Sequence, residues 1–112
     1  MANYQNVTPN QLAQSALTTS YVAIYTVPTT VRAYLKDIDI CNTTSGALNV
    51  YVSIVPSSGT AGTSNAIFYS TSVPAYSTLQ WTGSQIMLAG VTLQAKGSGT
   101  GLTITVSGGE AV

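Results

Sequence analysis

The sequence predicts an all-β protein: an antiparallel β-sandwich, jelly-roll or immunoglobulin-like, of about seven to eight short strands with an N-terminal arm. Three observations predict it. β-Branched residues and tyrosines alternate with small polar residues over most of the chain. Turn signals rich in Gly, Pro, Asn and Ser separate these runs at intervals of about 8–12 residues. The length of 112 residues is that of one ordinary domain with one modest core.

The first 20 residues lack this alternation, so we expect an N-terminal arm over residues 1–20 and a sandwich domain over residues 21–112. Thr8 followed by Pro9 is typical of a helix start, whereas the hydroxyl residues that end the segment favour a strand or loop. We expect an arm that binds a partner rather than an integral strand. The interface candidates are its apolar and aromatic side chains and the next tyrosine: Tyr4, Val7, Leu12, Leu17 and Tyr21.

The second predicted strand of the sandwich, residues 31–41, contains a slip in its alternation. Leu35 and Ile38 are three residues apart, and a β-bulge near Lys36 and Asp37 would return both to the same core. The bulge places four of the six charged side chains of the chain on the outer face of this strand: Arg32, Lys36, Asp37 and Asp39.

The other strands are predicted from short alternating runs bounded by turns. In residues 47–55 alternate apolar side chains face inward, and residues 56–65 form a flexible loop without periodicity. Gly83-Ser84 breaks the chain between two strands, and Gly108-Gly109 leads into a short tail. The remaining predicted strands are 21–27, 66–73, 76–82, 85–89, 91–96 and 102–107.

The composition excludes several classes of function. Only 5% of residues are charged, against a usual share of about 25%, and there is no histidine. Three basic residues cannot follow a phosphate backbone, so we expect no nucleic-acid binding. No apolar run approaches the roughly 20 residues that span a bilayer, so we expect no membrane partner. The start resembles no signal peptide and the single cysteine allows no internal disulfide, so we expect synthesis in a cytoplasm.

Catalytic and ligand-binding motifs are weak, and we expect neither an enzyme nor a cofactor nor a bound metal. Cys41 and the serines have no histidine to activate them. Asp37 and Asp39 lie on a predicted outer face that suits solvated carboxylates better than a Ca²⁺ site. The glycines of residues 97–101 precede a strand rather than the helix that a phosphate loop requires. A sugar-binding platform built from Trp81 and the tyrosines remains as an alternative.

The low content of charged residues instead indicates a protein that assembles with other protein subunits. A free monomer normally covers itself with charges of both signs, and a net charge near zero promotes association. This chain has a formal net charge of zero and 13 serines and 17 threonines, so much of its surface is expected to face other protein.

Three stretches resemble small β-sandwich virion proteins of tailed bacteriophages. They are Ala23-Ile24-Tyr25-Thr26-Val27-Pro28, then Leu35-Lys36-Asp37-Ile38-Asp39-Ile40-Cys41-Asn42-Thr43, and finally Ile104-Thr105-Val106-Ser107-Gly108-Gly109-Glu110. The resemblance covers about residues 20–110. Such proteins include capsid decoration (cement) proteins, often trimeric, and also tail or neck components.

The resemblance implies a bacteriophage virion structural protein, a capsid decoration (cement) subunit that stabilises the head shell. Its implied partners are the major capsid protein or other virion proteins and further copies of itself, as a homotrimer. Its implied location is the capsid surface of the virion. A tail, neck or baseplate component is one alternative, and a carbohydrate-binding adhesion module is another.

Overall fold

The computed structural model describes residues 7–112, which form two antiparallel sheets of four strands each. The chain in this range is all-β, as predicted, and its eight strands agree with the expected number. The strands are β1 (Val7–Ala16), β2 (Val22–Thr26), β3 (Arg32–Asn42), β4 (Leu48–Val55), β5 (Ala66–Val73), β6 (Thr78–Met87), β7 (Thr92–Gly97) and β8 (Leu102–Ala111).

The strand order distinguishes between the two predicted kinds of sandwich. One sheet has the order β1-β8-β3-β6 and the other β2-β7-β4-β5. Four antiparallel pairs therefore join strands from the two halves of the chain: β1 with β8, β2 with β7, β3 with β6, and β4 with β5. The chain runs as one long hairpin, folded back between β4 and β5 and rolled across both sheets. This topology is that of a jelly roll.

The core fills the space between the sheets with aliphatic side chains from alternate positions, as period-2 strands require. On β3 the buried set changes parity at Lys36, and pairing with both neighbouring strands shifts between Leu35 and Asp37. The predicted bulge is thus confirmed. The largest fully buried side chains are Leu35, Ile38, Ile40, Met87, Leu93, Leu102, Ile104, Val27, Val50, Val52, Val55 and Val73.

The N-terminal segment differs from the expected arm. Residues 7–16 are β1, an edge strand that pairs along its length with β8, and neither a helix nor a free arm. The pairing shifts between Gln11 and Ala13, and this bulge directs Leu12 into the core. The bulge broke the alternation that would have identified the strand in the sequence. Residues 1–6 of the predicted arm lie outside the described residues.

Two smaller expectations also need correction. Gly83 and Ser84 lie inside β6, where the pairing with β3 is irregular but the strand continues. The Gly108-Gly109 pair lies inside β8, which runs on to Ala111. The loop predicted at residues 56–65 does lie between β4 and β5, and it includes a 3-10 turn at Thr63–Asn65, whose Asn65 amide donates to the carbonyl of Thr60 at 3.0 Å.

Candidate interaction surface

An uncharged row of residues crosses the outer face of the β1-β8-β3-β6 sheet. Pro9 lies opposite Gly109, Gly109 opposite Tyr34, and Tyr34 opposite Ile86, so the row includes one residue from each strand. Ile86 is 56% exposed, although it is a large aliphatic residue. Cross-strand register, rather than closeness in sequence, brings the row together.

A shallow apolar groove of about 240 Å³ lies along this row. Gly108 and Gly109 form its floor, and the outward-facing Gly109 has no side chain to fill the space between β1 and β3. A Cβ added at Gly109 would lie 2.9 Å from Cγ1 of Val7. The other lining residues are Val7, Pro9, Tyr34 and Lys36. The groove can therefore accept an apolar side chain from another protein.

The outer face of the other sheet has a different chemistry. The ammonium of Lys96 lies 4.7 Å from the ring centroids of both Tyr21 and Tyr51, within cation–π range. Tyr51 in turn meets Tyr69 edge-on, with centroids 5.2 Å apart and planes at 90°. Tyr69 is 54% exposed. Lys96 covers the other two rings, which leaves Tyr69 as the open aromatic surface of this cluster.

Asp37 and Asp39 of β3 lie near the middle of the outer face of the β1-β8-β3-β6 sheet, where their carboxylates repel each other. Burial, and then the charge and hydrogen bond of Asp37, raise the pKa of Asp39. The Gln80 amide donates to Asp37 at 3.4 Å. No group of three or more His, Cys, Asp or Glu side chains that could hold a metal ion occurs within residues 7–112.

Glu110, the third acidic residue, has a structural role: it links strands by hydrogen bonds. Glu110 faces inward, where its carboxylate accepts a hydrogen bond from the Tyr25 hydroxyl at 2.5 Å and one from the Asn10 amide at 3.3 Å. This carboxylate therefore joins β1, β2 and β8 rather than serving as a candidate acid or base. Cys41 is a free, half-buried thiol.

The five predicted interface residues do not share one surface. Val7, at 52% exposure, forms one wall of the groove. Tyr21 belongs to the cluster of tyrosines around Lys96 on the other sheet. Leu12 and Leu17 lie in the core at 9% and 4% exposure, which does not suit the surface role expected of them. Tyr4 lies outside the described residues.

Two surface residues were not among the predicted interface candidates. Tyr34 and Ile86 are 52 positions apart in the chain, and only the β3–β6 register shows that they are neighbours. Trp81, considered for a sugar platform, lies on the inner side of β6 and packs against the core, so it cannot form one with the outward tyrosines.

The described chain is thus a charge-poor jelly-roll sandwich with an apolar row on one outer face. No helix in this part of the chain has the length and apolar character to cross a membrane. No family model matches the sequence, and no curated protein matches it significantly.

Among solved structures, the chain is similar in fold to one in the structure of infectious bursal disease virus, Gx strain, with a TM-score of 0.49 and 10% sequence identity. The similarity covers 97% of this chain and 32% of that chain, so the present chain spans about a third of its length. A similarity at this level carries no information on function.

Proposed function

We propose that this protein is a structural subunit of a virus particle, and specifically a decoration (cement) subunit on the head of a tailed bacteriophage. The observation that carries the proposal is the uncharged row of Pro9, Tyr34 and Ile86 across one outer face. Jelly rolls recur in viral capsid proteins and in lectins, which is support by analogy of fold alone. The resemblance to phage virion proteins supports the same choice.

Attachment in this proposal is a matter of apolar burial repeated over several copies. The groove beside Gly109 receives an apolar side chain of the major capsid protein, and Ile86 adds exposed aliphatic area along the same row. One such contact is small and therefore weak. A homotrimer, which the resemblance implies, would present three rows at once, and multivalency would raise the overall affinity.

The number of copies of the protein per particle tests whether the subunit is located on the head or on the tail. Quantitative gel analysis of purified particles should give hundreds of copies, in a fixed ratio to the major capsid protein. A few copies, or a few dozen, would move the protein to the tail, neck or baseplate. Absence from purified particles would overturn the structural role altogether.

A matched pair of variants tests the attachment surface. Ile86→Ser removes aliphatic area from the row, whereas Tyr76→Ser removes an aromatic ring that is 73% exposed near the opposite end of β6. In co-sedimentation with particles that lack the protein, I86S should bind at least tenfold more weakly than wild type. Y76S should bind normally. Equal binding by both variants would contradict attachment through the row.

Carbohydrate binding is the second candidate because of Tyr69. Its exposed ring, next to the hydrogen-bonded pair of Asn49 and Ser70, offers a face for stacking and polar groups beside it. Binding to a glycan array that disappears in Tyr69→Ala but persists in Tyr76→Ala would favour an adhesion module over a decoration subunit.

A further inference from the structure

All six charged side chains of the protein lie on inner strands. Arg32, Lys36, Asp37 and Asp39 are on β3, Lys96 is on β7 and Glu110 is on β8. The four edge strands β1, β6, β2 and β5 have none. Proteins usually protect sheet edges with charges, prolines, bulges or short strands, because an open edge pairs readily with another chain.

Three of the four edges have another form of protection. β1 contains Pro9 and the bulge at Leu12, and β2 is only five residues long. β5 pairs irregularly with β4, and its Ser70 has a positive φ of 53°. β6 is irregular at Gly83-Ser84, but its first half, Thr78–Thr82, pairs regularly with β3 and has neither charge nor proline.

Within residues 7–112 no strand pairs with the outer edge of β6, and this edge presents backbone groups in a defined order. The N–H of Asn42 donates to the carbonyl of Ser77 at 2.8 Å, which makes these two residues a hydrogen-bonded pair. Because such pairs alternate along an antiparallel ladder, the N–H and C=O groups of Thr78, Gln80 and Thr82 point away from β3. All three of these residues are exposed.

We propose that the edge of β6 pairs antiparallel with β6 of a second copy, around a twofold axis at Gln80. This register places Gln80 opposite its own mate and Thr78 opposite the mate's Thr82, so all three outward residues of each strand are used. The two four-stranded sheets then form one sheet of eight strands.

The side chains of the strand are complementary to themselves in this register. Leu79 and Trp81 lie on the inner side, half-buried at the open border of the core, and each would cover the other across the axis. On the outer side, Gln80 and the two threonines are neutral and can hydrogen-bond. A charged residue at position 80 would lie opposite the same charge in the second copy and repel it, but Gln80 is neutral.

The nearest charges do not oppose this pairing. Asp37 and Asp39 lie one strand behind β6, so across the axis the two β3 strands that carry them are three strand spacings, about 14 Å, apart. That exceeds the Debye length of about 8 Å at physiological salt. The contact does not depend on the proposed virion role, and a twofold pairing is compatible with a separate cyclic assembly of the same chain.

Disulfide trapping tests both the contact and its register, in a Cys41→Ser background that removes the native thiol opposite Thr78. Hydrogen-bonded antiparallel pairs have Cα atoms about 5.5 Å apart, which a disulfide can bridge. On mild oxidation, C41S/Q80C should form covalent dimers at least tenfold faster than C41S/T82C, because position 82 faces position 78. The triple variant C41S/T78C/T82C should link again.

The trapping control is C41S/T103C, with its thiol on an exposed position of the inner strand β8. Q80C that links no faster than T82C or T103C would overturn the proposal. The unmodified protein provides a second test. Amide exchange at Thr78, Gln80 and Thr82 should slow at least tenfold between about 10 µM and 1 mM protein, and fast exchange at both concentrations would also overturn it.

Discussion

Tyr25 and Glu110 are 85 residues apart in the chain, yet the tyrosine hydroxyl donates a 2.5 Å hydrogen bond to the carboxylate. Tyr25 lies on β2 of one sheet and Glu110 on β8 of the other. The bond therefore joins the two layers of the sandwich at one end, where Asn10 of β1 donates to the same carboxylate. A hydrogen bond to a charged group contributes more to stability than one between neutral groups.

Removal of this bond should have a characteristic pH dependence. Burial, and then the hydrogen bond and charge of Glu110, raise the pKa of Tyr25 above its ordinary value. The unfolded chain releases this proton near pH 10, whereas the folded chain retains it. The stability that Tyr25 contributes is thus complete below about pH 10 and is lost as the pH rises further.

We expect Tyr25→Phe to lower the free energy of unfolding by roughly 1–2 kcal/mol at pH 7. The difference between wild type and Y25F should stay constant up to about pH 10 and narrow above it, because only the wild type has this tyrosine to ionise. Urea denaturation at pH 7 to 11 measures the difference. A gap that widens above pH 10 would contradict the assigned direction of the pKa shift.

The acidic pair on β3 predicts an effect at the other end of the pH scale. The pKa of Asp39 is raised by burial and then by the charge and hydrogen bond of Asp37, so the folded chain binds this proton more tightly than the unfolded chain. The contribution of Asp39 to the free energy of unfolding therefore increases as the pH falls through the pKa that Asp39 has in the folded chain. It levels off below the pKa of about 4 that Asp39 has in the unfolded chain.

Asp39→Asn should accordingly be as stable as wild type at pH 7 or slightly more stable, and this advantage should shrink on acidification to pH 4. The effect is small because the carboxylates are accessible to solvent, and 1 M NaCl should reduce it further. Melting temperatures of both proteins over this pH range provide the measurement. An advantage for D39N that grows toward pH 4 would show that the pair stabilises the fold when ionised.

Gly108 predicts a packing effect. A Cβ at this position would overlap the backbone carbonyl oxygen of Tyr34 on β3, and a backbone atom in a paired strand cannot easily move aside. Overpacking of this kind costs roughly 1–3 kcal/mol. Gly108→Ala should therefore lower the melting temperature by about 4–8 °C for each kcal/mol lost.

Gly46 is the matched control for Gly108, because a Cβ there meets nothing within 4 Å. Gly46→Ala should leave the melting temperature within a few degrees of wild type. Equal melting temperatures for G108A and G46A would show that β8 and β3 can separate locally without cost.

Leu17 tests whether the N-terminal segment is integral to the sandwich. It is 4% exposed, and its N–H donates to the carbonyl of Leu102 at 2.8 Å. Leu17→Ala should cost about 2–5 kcal/mol, the usual range for a buried leucine. Val7→Ala, at 52% exposure on the same segment, should cost less than about 0.5 kcal/mol. A free arm would make both substitutions equally mild in thermal denaturation.

These residues show which features of the fold were readable from the sequence. The bulge near Lys36 was predictable because Leu35 and Ile38 record the change of parity in one strand. β1 was missed because its own bulge at Leu12 interrupts a strand that has few apolar residues. In that case the missing alternation was an effect of the bulge, not a sign of an arm.

The candidate surface was hardly predictable from the sequence. Pro9, Tyr34 and Ile86 become one row only because β1 pairs with β8, β8 with β3 and β3 with β6. Local patterns do not contain that cross-strand register, since it depends on the order of strands in the sheet. The charge deficit was visible from composition, but its confinement to inner strands required the topology.

Attachment through the row should depend little on salt. The row is uncharged, Lys36 is the one cation lining the groove, and it already contacts Ser84 at 3.4 Å. Screening acts on exposed charges, with a Debye length of about 8 Å at physiological salt and about 3 Å at 1 M, whereas NaCl hardly changes apolar burial. Binding to particles should therefore lose less than about tenfold in 1 M NaCl, or ~1.4 kcal/mol. Co-sedimentation of labelled protein across an NaCl series measures this. Release at a few hundred millimolar would show that Arg32, Lys36 or Lys96 meets an acidic surface on the partner.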